Sequence, residues 1–86
     1  MQMSAAKEII AVAYPAAAIK MVTIEDGVNI DEAVCWAPEF VPCIQELLAK
    51  HSRVKKISIL GPASYIKDFE QRLKNFIDIP VETKGL

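Results

Sequence analysis

Apolar residues along this chain follow two rhythms, and the change from one to the other fixes most of the architecture. Ile57, Ile59 and Leu60 make a short β-type run, Gly61-Pro62 ends it, and Tyr65, Ile66, Phe69, Leu73 and Phe76 then recur at helical spacing. The stretch from Val54 to Phe76 therefore predicts a strand, a tight corner and a helix, and the rest of the chain must pack around it. A second helix is predicted from Glu39 or Phe40 to His51, with Phe40, Val41, Ile44, Leu47 and Leu48 on one face. Pro42 is compatible with it because a first-turn N–H has no intrahelical partner to lose.

The remaining segments read as strands. Ile9 to Tyr14 is a continuous apolar run stopped by Pro15; a helix over Ser4 to Ala13 competes, because alanine favours it, but the β-branched residues favour the strand. Pro15 to Ala18 is a connection almost without polar side chains. Ile19 to Glu25 alternates, with Ile19, Met21 and Thr23 on one face and Lys20, Val22 and Ile24 on the other. Both faces carry apolar groups, which predicts a strand covered on both sides. Asp26-Gly27 is a strong hairpin signal, since a type I′ turn needs positive φ at both central residues. The next strand could start at Val28, but Asn29, Asp31 and Glu32 interrupt it, so Ala33 to Ala37 is expected to be its better-formed part. A last short strand is expected over Ile79 to Glu82, with residues 1–7 and 83–86 as frayed ends.

The expected fold class is thus α/β, a single domain over residues 1–86 with a mixed five-stranded sheet in two or three layers and the order βββαβαβ. That order resembles the ribonuclease-H-like topology, an antiparallel three-stranded meander extended by two parallel strands joined through helices. The resemblance implies an Asp in the middle of the first strand as a metal ligand in the nucleases of that superfamily. The run Ile9-Ile10-Ala11-Val12-Ala13-Tyr14 has no carboxylate there, and a two-metal site needs several converging oxygens. The resemblance therefore points to the fold's non-catalytic binding and assembly modules.

Composition sharpens this. Apolar residues make up 52% of the chain and the mean hydropathy is +0.23, more than a core of 86 residues needs. Part of that apolar surface is expected at an interface, so a homo-oligomer or a protein partner is the expected association. Ten Lys and Arg against eleven Asp and Glu give a net charge of −1, which argues against nucleic acid as the partner. No signal-peptide pattern and no apolar run of membrane-spanning length is present, so the expected location is cytoplasmic, with no membrane contact.

Candidate chemistry is sparse. Gly61, Pro62, Ala63 and Ser64 put a helix N-terminus at the carboxyl end of a strand, where a small anion or nucleotide could bind; a capping corner with no ligand is the competing account. Trp36, Ala16 and Ala17 are candidate interface residues, the first as a large anchor, the others as small residues that admit a close approach. Glu25, Asp26, Asp31 and Glu32 surround the hairpin and read as a solvated turn, matching no calcium-loop spacing. Lys50, His51, Arg53, Lys55 and Lys56 form the basic cluster, without interleaved aromatic residues for base stacking. Cys35, Cys43 and His51 fall short of a zinc set, and the two cysteines read as buried thiols; a disulfide is the alternative if they lie close, disfavoured in a reducing cytosol. No catalytic constellation, metal site or cofactor is expected. The expected function is non-enzymatic protein contact, chiefly self-association, with anion or nucleotide binding at the Gly61 corner as the alternative.

Overall fold

The computed structural model describes residues 6–13 and 18–85. Among these, the elements run β1 (Lys7–Val12), β2 (Ile19–Glu25), β3 (Val28–Cys35), a 3-10 turn (Ala37–Glu39), α1 (Phe40–Lys50), β4 (Val54–Gly61), α2 (Ala63–Lys74) and β5 (Val81–Gly85). The strands form one mixed sheet in the order β3-β2-β1-β4-β5. β1, β2 and β3 pair antiparallel, while β4 is parallel to β1 and β5 parallel to β4.

This is a two-layer molecule, for a topological reason. The connection from β3 to β4 and that from β4 to β5 advance in the same direction across the sheet. Right-handed crossovers that advance the same way must lay their helices on the same face. Phe40, Ile44 and Leu47 of α1 and Ile66, Phe69 and Leu73 of α2 accordingly share one core with Ile9, Ala11, Ile19, Met21, Ile57 and Ile59. The helices meet through Phe40 and Phe69, ring centroids 4.8 Å apart and interplanar angle 62°. Ala11 of the central strand and Ala13 just past its end, both fully buried, add little side-chain bulk beneath that layer.

Several expectations need correction. β1 starts two residues before the predicted run and includes Glu8, so the first strand does carry a carboxylate, though at its start; Tyr14 lies outside the described residues. β2 has the predicted bounds, but its Lys20, Val22 and Ile24 face is not covered: Lys20 is exposed and the other two are half-buried. β3 is continuous from Val28, and Ala37 belongs to the turn that follows. The polar patch is accommodated by a β-bulge: Ile24 pairs with Asn29 and Thr23 with Asp31, leaving Ile30 as an extra residue. The Asp31 N–H donates to Asn29 Oδ1 across it, at 3.1 Å.

α2 ends at Lys74, so Phe76 falls past the helix and is 63% exposed. β5 begins at Val81, because Ile79 lies ahead of the ladder and Pro80 has no N–H to give to it. Thr83, Lys84 and Gly85, expected to fray, belong to the strand. Asp26 and Gly27 do take positive φ, 55° and 79°, as the hairpin signal requires.

The two cysteines are a disulfide, not free thiols: Cys35 at the end of β3 is bonded to Cys43 in the first turn of α1. Separate runs of sequence hid this, since eight positions apart says nothing about whether a strand end and a helix start face each other. Closing a loop this short stabilises the native state by about 2.5 kcal/mol on the chain-entropy estimate.

Candidate interaction surface

Strand register sorts the side chains into two faces. Facing the helices lie Ile9, Thr23, Ile57 and Val81 in one row and Ala11, Met21, Ala33, Ile59 and Thr83 in the next. On the opposite face Val34, Lys20, Val12, Leu60 and Lys84 form one row. A second reads Glu32, Val22, Ile10, Ser58 and Glu82, and a third Asn29, Ile24, Glu8 and Lys56. None of these outer residues is fully buried. The centre is an apolar stripe of Ile10, Val12, Val22, Ile24 and Leu60.

Charges of both signs frame the stripe. Lys56 Nζ lies 3.6 Å from Glu8 and 3.4 Å from Glu82, and Ser58 Oγ donates to Glu8 Oε2 at 2.9 Å. Glu82 first, then Glu8, raises the Lys56 pKa above its ordinary value. On the other flank Lys20 sits 3.7 Å from Glu32, which also accepts from Asn29 Nδ2 at 2.7 Å. Three lysines and three glutamates thus share the face, and it is neutral overall. A shallow cavity of about 350 Å³ lined by Ser58, Leu60, Glu82, Thr83 and Lys84 opens between β4 and β5.

Apolar exposure collects at one edge. Of the large exposed hydrophobic residues, Val28, Ile30 and Val34 lie on β3 and Trp36 just beyond it, with Val34 71% and Trp36 67% exposed. Trp36, an expected anchor, is therefore accessible at the end of the edge strand. Ala16 and Ala17 lie outside the described residues.

The Gly61–Ser64 corner is packed against its own chain. Gly61 is buried, and a β-carbon on it would overlap the Ala13 carbonyl oxygen and come within 2.9 Å of Ile66 Cγ2. The N–H groups of Tyr65 and Ile66 already bond the Pro62 carbonyl at 3.0 Å. Gly85 of β5 packs against Ala63. Ala63 and Ser64 are exposed.

The basic cluster is divided. Lys50 and His51 reach Asp31, at 3.1 and 2.8 Å, while Lys56 turns to the open face. Lys55 is exposed. Among the described residues no group of three or more His, Cys, Asp and Glu could hold a metal ion.

The Asp31–His51 pair was not legible in the sequence, because twenty residues separate its members. It ties the edge strand to the end of α1. His51 first, then Lys50, hold the Asp31 carboxyl below its ordinary pKa. A lowered pKa means the ionised form is favoured by folding, so the contribution is fully present above the ordinary carboxylate value of about 3.9 and is lost as pH falls through the native value. Denaturant midpoints measured at pH 7 and pH 3 are expected to differ less for Asp31→Asn than for the unaltered protein.

No helix among the described residues is long and apolar enough to cross a membrane. No family model, no curated protein and no solved structure matches the chain, so what this surface does follows from its own residues.

Proposed function

We propose that this chain is a non-enzymatic interaction module whose uncovered sheet face packs on a second copy of itself. The single observation behind this reading is that both helices cover one side of the sheet and leave Ile10, Val12, Val22, Ile24 and Leu60 as an apolar stripe on the other. A sheet face of this kind gains by burial against a like face about 10 Å away. Charge chooses the occupant. A face with equal numbers of lysines and glutamates attracts neither a phosphate backbone nor an anionic bilayer, and is not repelled by its own copy.

Face-to-face packing also fits better than edge-to-edge pairing. Asp31 and Glu32 lie mid-way along β3 and Ile30 bulges beside them, so two β3 edges laid antiparallel would bring acids together at a distorted ladder. Five strands at the usual spacing give a footprint of roughly 24 by 20 Å. That is at the small end for specific interfaces and suits a reversible pair of micromolar affinity. We further read the strand order as ribonuclease-H-like and the setting as cytoplasmic.

Sedimentation velocity over a concentration series tests the reading. The unaltered protein is expected to dimerise in the micromolar range. Val22→Lys, which puts an amine at the centre of the stripe, is expected to weaken the dimer at least about 30-fold, the size of an interface hot spot. Val34→Lys, at a 71% exposed position on the same face, serves as a variant that leaves the fold intact and still weakens association. A protein monomeric at several hundred micromolar, or variants that dimerise as before, overturns the proposal. Thermal stabilisation by phosphate or nucleotides would instead move the function to the Gly61–Ser64 corner.

A further inference from the structure

We propose that the Cys35–Cys43 bond is a redox-addressable site, opened by a dithiol that attacks Cys43, and that its opening releases the β3–α1 corner carrying Trp36. The two sulfurs are not equally accessible. Cys35 is 3% exposed and belongs to the core, whereas Cys43 is half-buried and lines a surface cavity of about 290 Å³ with Glu39, Pro42 and Glu46. Thiol–disulfide exchange needs a thiolate to approach one sulfur in line with the bond, and of the two residues Cys43 is the one that lines this cavity.

The steps balance as an exchange. The reductant's first thiolate bonds to Cys43 Sγ, the Cys35–Cys43 bond breaks, and Cys35 leaves as a thiolate that takes a proton from solvent. As a thiol it has acceptors in place, for Cys35 Sγ lies 3.3 Å from the carbonyl oxygens of Trp36 and Glu39. The reductant's second thiolate then attacks its own sulfur in the mixed disulfide and releases Cys43, which is protonated in turn. The dithiol ends as a disulfide and the protein gains two electrons and two protons.

Position adds selectivity. Cys43 sits in the first turn of α1, where the helix dipole favours a thiolate, but Glu39 and Glu46 flank the cavity and repel an anionic attacker. A neutral or cationic thiol is therefore favoured over an anionic one. Opening the bond removes the covalent tie between the edge strand and the helix that follows, with Trp36 between them.

The test uses the full chain in native buffer. Dithiothreitol, followed by alkylation and mass spectrometry, is expected to yield two labelled cysteines, with a matching change in the fluorescence of the single tryptophan. With limiting cysteamine, peptide mapping is expected to find the mixed disulfide on Cys43. Cysteamine is expected to exceed mercaptoacetate by at least about threefold, relative to the same thiols acting on hydroxyethyl disulfide, with the excess falling as salt rises. In single-cysteine variants, Cys35→Ser leaves a thiol expected to react at least about tenfold faster than the one left by Cys43→Ser. The proposal is overturned if the adduct forms on Cys35, or if both thiols react alike. Reduction only at the rate of global unfolding, read from its urea dependence, or two free thiols in air-exposed protein, overturns it as well.

Discussion

Gly61→Ala is expected to destabilise the protein by on the order of 3 kcal/mol, measured as a shift in the urea midpoint at unchanged slope. The added methyl would run into the backbone oxygen of Ala13 and into Ile66 Cγ2. The Ala13 carbonyl has little room to retreat, because Ala13 is itself tied to β4 by its N–H on the Leu60 oxygen, at 2.8 Å. The φ of Gly61, 157°, adds backbone cost for any L-residue. A chain of this size has roughly 4–13 kcal/mol in all, so this one methyl threatens the fold. Ser64→Ala, at an exposed position three residues on, is the contrast, with an expected change within about 0.5 kcal/mol. Equal losses at both positions would refute the packing account of the corner.

Phe40→Ala carries the second large effect, about 3–5 kcal/mol. Phe40 is fully buried where α1 begins, and it stands edge-on to Phe69, which in turn meets Tyr65 at 5.0 Å and the Arg72 guanidinium at 5.8 Å from its ring centre. Removing the ring leaves a void between two helices anchored by crossovers at both ends, so the walls can close only partly. Phe76→Ala is the matched control, expected to cost below about 1 kcal/mol because Phe76 is 63% exposed. Denaturation of the two variants side by side separates them. If Phe76 proves as costly as Phe40, the described end of α2 is wrong.

Phe69 and Phe76 show how far the sequence could be read. Periodicity treats Phe69 and Phe76 alike, seven residues apart, yet α2 closes at Lys74 with the Asn75 N–H on the Arg72 carbonyl, and Phe76 falls on the far side of that stop. No proline or glycine marks the end, and the weaker stop signals of Arg72, Lys74 and Asn75 are easily overridden by the apolar period. The Asp26-Gly27 turn and the bounds of β2 were legible because turn chemistry and alternation are properties of neighbours. The disulfide and the Asp31–His51 link were not, since each joins residues whose meeting depends on how a crossover is laid down. The open face was misjudged for a related reason. Apolar residues on both sides of β2 suggested cover on both, while the direction in which the crossovers advance decides how many layers form.

One residue of β3 governs both of those cross-links. Were Ile30 taken into the ladder instead of bulging out of it, straight pairing from Glu25↔Val28 would set Glu32 opposite Met21 and Val34 opposite Ile19, an acid driven into the greasy interior. Asp31 and Cys35 would then look away from the helices and could reach neither His51 nor Cys43. The bulge reverses odd and even for the rest of the strand, so one unpaired residue places a hydrogen-bonded pair and a covalent tie at the two ends of α1.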